Sequence, residues 1–183
     1  MHLISKISFF KKNFLSIILA LVPFSFIAGN MIININIITL ILSTILIQNK
    51  RLFNIKFHLL DKLLIIFFFL VIFTSLLNDI LVLNKLSWSP NYSTTIKSIL
   101  FLKYLLLYLT VRYLIENELI KIKYFFITSS VASIFVCLDI FDQFIYGVDI
   151  FGYKIAAGFR KLSGPFGDEL IAGGFIQRFS IFS

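Results

Sequence analysis

The chain has 183 residues, 59% of them hydrophobic and 14% charged, with a mean hydropathy of +0.97. A soluble domain is about half apolar and about a quarter charged, so the polar shell that a water-facing surface needs is missing. The formal net charge of +8 would suggest a nucleic-acid partner in a soluble protein; here the basic residues sit in connectors between apolar runs, which is a membrane pattern and excludes that partner class.

The first apolar run, residues 14–28, follows Lys6, Lys11 and Lys12. It ends FSFIAGN, with Phe26 where a signal-peptidase site needs a small residue, so it reads as an uncleaved first span, kinked at Pro23. Gly29 and Asn30 turn the chain into a second span over 32–47, with Asn34 and Asn36 near its start. A basic connector carrying Lys50, Arg51, Lys56 and Lys62 leads to a third span over 63–77. The loop that follows holds Pro90, with Trp88 and Tyr92 placed as interfacial aromatics. A fourth span covers 96–114; its Lys103 is either a snorkelling side chain or a buried ligand-binding lysine. The fifth covers 124–141, and a sixth starts near Leu170.

The expected fold is therefore all-α: a polytopic transmembrane helix bundle of about six spans in a single membrane domain. Five helices with short connectors occupy 1–141, a Gly-rich loop 142–169, and the start of the sixth helix 170–183. With the N-terminus in the cytoplasm, inner segments hold ten basic residues and outer segments five (Lys85, Lys97, Lys154, Arg160 and Lys161). That bias places the Gly-rich loop in the outer compartment, the periplasm if the cell is Gram-negative. The sixth apolar run is short and has no flanking charge at its far end, so the chain is expected to be the front part of a longer one.

Chemistry-bearing residues concentrate in YGVDIFGYKIAAGFRKLSGPFGDELIAGGFIQRFSIFS. Arg160 lies among small residues, where a guanidinium fits either a phosphate group or lipid headgroups. Asp168 and Glu169 precede an apolar turn and suit a helix cap, with acid/base work as the alternative. If the sixth helix starts at Asp168, Arg178 lies ~15 Å along it, near the bilayer centre, where an arginine is functional by default. Asp139 or Asp142 would be its ion-pair partners; the other use of two arginines at one helix is to hold a diphosphate whose lipid tail lies in the membrane. The single cysteine, Cys137, excludes an intrachain disulfide, and no Cys/His cluster has metal spacing. His2 and His58 read as connector residues, and no cofactor or metal is expected.

The run DIFGYKIAAGFRKLSGPFGDELIAGGFIQRF resembles the R-x-x-G-x-F-x-(D/N)-x-x-x-x-(A/G) passage of the O-antigen ligase and polymerase family, polytopic membrane glycosyltransferases of bacterial envelope polysaccharide assembly. The resemblance covers roughly residues 146–179. It implies about a dozen helices in the inner membrane and transfer of a glycan from an undecaprenyl-diphosphate carrier. The acceptor would be lipid A core for a ligase or a growing glycan for a polymerase. Arg160 would face the carrier diphosphate, with Gly164, Phe166 and Gly167 shaping its loop. The family's large late loop, with further arginines and, in ligases, a histidine thought to act as base, has no counterpart here. Catalytic residues are thus expected beyond this stretch. The competing readings are a transporter or flippase half, which predicts inverted repeats, and a non-catalytic membrane subunit.

Overall fold

The computed structural model describes residues 12–48, 57–86, 92–155, 162–167 and 169–181. Within them the chain is all-α: α1 (Lys12–Ile27), α2 (Asn30–Gln48), α3 (Leu59–Leu86), α4 (Ser93–Glu116), α5 (Ile122–Tyr146) and α6 (Ala172–Ser180), with a 3-10 turn at Gly164–Phe166. No strand forms among the described residues; Val148 and Lys154 make one isolated antiparallel bridge.

Helix α2, residues Leu59–Leu81 of α3, and helices α4 and α5 are each long and apolar enough to cross a membrane. Their large apolar side chains face outward, for example Ile66, Phe67, Phe69 and Leu70 of α3 and Ile134, Leu138 and Phe141 of α5. The buried positions of α5 are instead Ser129, Ala132, Ser133, Val136, Asp139 and Gln143. This inverts the pattern of a water-soluble helix, which turns its apolar stripe inward. Small and polar residues between helices, with bulky apolar ones outside, are stable when hydrocarbon is the solvent. The chain is a membrane protein.

Helix α1 breaks at Leu21, two residues ahead of Pro23. The proline has no N–H to give to residue 19 and its ring crowds that carbonyl, so the ladder restarts with Pro23 in the first turn of Val22–Ile27. Helix α6 begins at Ala172, with Ile171 as its N-cap and no side-chain capping bond.

The chain divides into two compact units, Met1–Thr39 with Glu118–Ser183, and Leu40–Asn117; the division falls inside α2. In the second unit α3 and α4 form an antiparallel hairpin pinned at both ends. At one end the fully buried Asp61 accepts hydrogen bonds from the backbone N–H of His58 (2.5 Å), the hydroxyl of Tyr108 (3.0 Å) and the guanidinium of Arg112. Arg112 Nε also donates to Glu116 (2.7 Å), one turn on. At the other end Asp79 accepts from the Thr94 hydroxyl and from both the backbone N–H (2.9 Å) and hydroxyl (2.7 Å) of Thr95. Asp79 thus caps the start of α4 from a neighbouring helix, where unpaired N–H groups and the helix dipole favour a carboxylate.

In the first unit α5 is the central element. A core of Ala132 and Val136 from α5 and Ala172, Phe175 and Phe179 from α6 is joined by Phe26, Ile27 and Phe166. The Phe26 and Phe179 rings meet edge to face with centroids 5.5 Å apart. The Asn36 amide donates to the Ser25 hydroxyl (2.7 Å), so this α2 asparagine is a helix–helix tie.

Candidate functional site

The loop after α5 is built from the last two turns of that helix. Gly147 ends α5 in the left-handed region (φ 75°), and its N–H donates to the Gln143 carbonyl (2.9 Å). The chain then doubles back in a tight turn. The N–H of Asp149 donates to the Tyr153 carbonyl (3.0 Å), and the N–H of Tyr153 donates to the Asp149 carboxylate (2.5 Å). The fully buried Asp139 accepts the N–H of Ile150 (2.8 Å). One turn later on the same face, the fully buried Gln143 accepts the N–H groups of Ser163 and Gly164, both at 3.0 Å. Its own amide nitrogen lies 3.4 Å from the Tyr153 carbonyl and 3.4 Å from the Ser163 hydroxyl.

Two glycines close this arrangement. Gly164 has φ 56°, and a Cβ there would stand 2.9 Å from Ile140 Cγ1 and 3.5 Å from Asp139 Oδ2. Gly167 has φ 62°, and a Cβ would stand 3.2 Å from the Tyr153 ring. Only glycine holds such backbone at low cost. Among the described residues, the remaining oxygens of Asp139 and Asp149, and the Ser133 hydroxyl, are buried without a hydrogen-bond partner.

Beside the loop lies a cavity of about 630 Å³. Phe26, Phe166, Phe175 and Phe179 give it an aromatic wall, and the turn at residues 28–30 forms another side. Polar groups reach it from Asn30, Glu169 and Arg178. A second cavity of about 460 Å³ is lined by Phe24, Ile27, Ala28, Phe135, Phe151, Tyr153 and Pro165. Ile27, Ala28, Tyr153 and Pro165 border both. An apolar enclosure with a few convergent polar groups is the usual form of a small-molecule site. Here one compartment carries charge and its neighbour is aromatic and aliphatic.

Among the residues expected from sequence, Gly164, Phe166 and Gly167 form the 3-10 turn and its exit, and Phe166 lines the charged cavity. Arg178 lines the same cavity. With α6 starting at Ala172, the arginine lies ~9 Å along the helix, in its last turn and exposed. A cation there also complements the negative end of the helix dipole. Glu169 is exposed and ends two residues short of the Ile171 N-cap, so it does not cap α6; it borders the cavity instead. Arg178 makes no ion pair with Asp139 or Asp142 among the described residues. Asp139 is committed to the loop base through Ile150. Arg160 and Asp168 lie outside the described residues.

Sequence reasoning did not single out Gln143, Tyr153, Asp61 or Arg112. The available signal for Gln143 was its spacing: Ser129, Ala132, Ser133, Val136, Asp139 and Gln143 recur at three or four residues along an otherwise bulky apolar helix. That marks one face as turned away from lipid. Among the described residues no group of three or more His, Cys, Asp or Glu is placed to hold a metal ion. No family model matches the chain, and no curated protein or solved structure matches it.

Proposed function

We propose that the cavity beside the loop takes the phosphate head of a lipid-linked substrate, and that the chain is part of a membrane glycosyltransferase of the O-antigen ligase and polymerase kind. The observation that carries the reading is Arg178, with Asn30 and Glu169, at a cavity walled in part by four phenylalanine rings, in a chain of membrane-crossing helices. A guanidinium pairs with phosphate oxygens through two parallel N–H donors. The phenylalanine rings offer an apolar surface to the first carbons of a lipid chain. The resemblance of residues 146–179 to the family's Arg–Gly–Phe passage adds the donor class, an undecaprenyl-diphosphate-linked glycan, and the acceptor, lipid A core or a growing glycan.

In that reaction an acceptor hydroxyl attacks the anomeric carbon, the bond from that carbon to the diphosphate oxygen breaks, and the diphosphate leaves with its electron pair. Arg178, with Arg160 by resemblance, neutralises the charge that grows on the leaving group. The hydroxyl proton passes to a general base, as such a transfer requires. The N-terminus lies in the cytoplasm of a bacterial inner membrane, and the loop faces the periplasm, as the distribution of basic residues suggests.

The test is glycan transfer in cells carrying the intact gene with Arg160→Lys or Arg178→Ala. Loss of polymer at unchanged protein level supports the assignment. Wild-type polymer in both variants removes it.

A further inference from the structure

We infer that Gln143 is a positioning residue, which sets the loop-side wall of the cavity without bordering the cavity itself; the inference rests on the cavity being the binding site. Gln143 is fully buried and is absent from the lining of both cavities. The wall segments on either side depend on it. Tyr153, which borders both cavities, has its carbonyl within 3.4 Å of the Gln143 amide nitrogen. Ser163 and Gly164, immediately before the wall residues Pro165 and Phe166, give their N–H groups to the Gln143 oxygen at 3.0 Å. One amide therefore fixes the spacing of two segments that lie ten and twenty residues further along the chain.

The surroundings leave that spacing little freedom. Gly164 fits against Ile140 with no room for a Cβ, and Gly167 lies against the Tyr153 ring. A buried primary amide is costly in a membrane helix unless its groups are paired. An apolar side chain of equal size would fill the space but leave two loop N–H groups unpaired. The loop would then hold its walls in several arrangements, and binding would select one of them at the expense of affinity.

The experiment uses the full chain in lipid nanodiscs, with Gln143→Met, Gln143→Asn and Gln143→Glu. Hydrogen exchange is read at the Ser163 and Gly164 amides, and affinity is read for farnesyl diphosphate with inorganic pyrophosphate as the lipid-free control. Methionine keeps the bulk and removes both kinds of bond; asparagine keeps the amide but not its reach. Both variants are expected to raise exchange at the two amides and to weaken farnesyl diphosphate by about tenfold or more, at unchanged helical content. Glutamate keeps an acceptor oxygen at the same reach but, when ionised, has no donor for the Tyr153 carbonyl. It is therefore expected to hold exchange at Ser163 and Gly164 near wild type while affinity still falls. Should Gln143→Met fail to assemble, Gln143→Asn decides. Unchanged exchange at Ser163 and Gly164 in that variant overturns the role of Gln143. Wild-type protein that binds neither probe counts against the cavity as the site, and the exchange measurement still decides whether Gln143 holds the wall.

Discussion

Asp61 and Arg112, fifty-one residues apart in the chain, form a buried ion pair that closes one end of the α3–α4 hairpin. Asp79, ~27 Å further along α3 at ~1.5 Å per residue, closes the other against Thr94 and Thr95. That separation is close to the ~30 Å of a hydrocarbon core. The two polar ties thus stand near the two water-facing planes, and between them α3 exposes bulky apolar side chains.

Removing Arg112 strands the fully buried Asp61 carboxylate, whereas Arg112 without Asp61 keeps Glu116. Arg112→Leu is expected to destabilise the protein by about 3–5 kcal/mol, while Asp61→Leu combined with Arg112→Leu costs much less. Unfolding of purified protein in mixed micelles, compared across single and double variants, measures the difference. Equal losses in single and double variants would show that the ion pair is not the source of the stability.

Asp79→Ala removes three hydrogen bonds at the start of α4 and leaves a first-turn N–H group without its carboxylate partner. A loss of about 1–3 kcal/mol is expected in the same assay. Asp79→Asn, which keeps one acceptor oxygen, should fall between the alanine variant and wild type.

The loop glycines differ from the helical ones. Gly164→Ala and Gly167→Ala each combine a left-handed backbone with a Cβ that has no room, and each is expected to cost about 1–3 kcal/mol. Gly173 in α6 has open space around its Cβ position and no such backbone, so Gly173→Ala should stabilise by up to about 1 kcal/mol. Thermal unfolding of the three variants separates the two cases by sign.

The two ends of α5 are expected on opposite sides of the membrane. In a Cys137→Ser background, Lys154→Cys should react with an impermeant maleimide added to intact spheroplasts, and Lys123→Cys only after the membrane is opened. Both positions are exposed; Lys123 lies in the first turn of the helix and Lys154 in the loop after it. The reverse pattern would invert the topology.

How far the sequence could be read depended on the kind of signal. Uninterrupted apolar runs located the long helices, because length and composition alone decide whether a segment spans hydrocarbon. The sixth helix, expected from near Leu170, begins at Ala172. Asp168 and Glu169 look like a helix start, yet the helix begins where Ala172 first packs on Ala132 and Val136, a tertiary event. The ties made by Asp61, Asp79 and Gln143 join positions that hairpin geometry brings together, and no local pattern encodes those pairings.

The most direct test of the account is the affinity of the nanodisc-embedded chain for farnesyl diphosphate and for farnesol, each measured with wild type and Arg178→Ala. If Arg178 holds the phosphate head, wild type binds the diphosphate more tightly than farnesol, and Arg178→Ala lowers diphosphate affinity by about tenfold or more, to the farnesol level. Equal diphosphate affinity in wild type and Arg178→Ala would contradict the assignment of this cavity to a lipid phosphate.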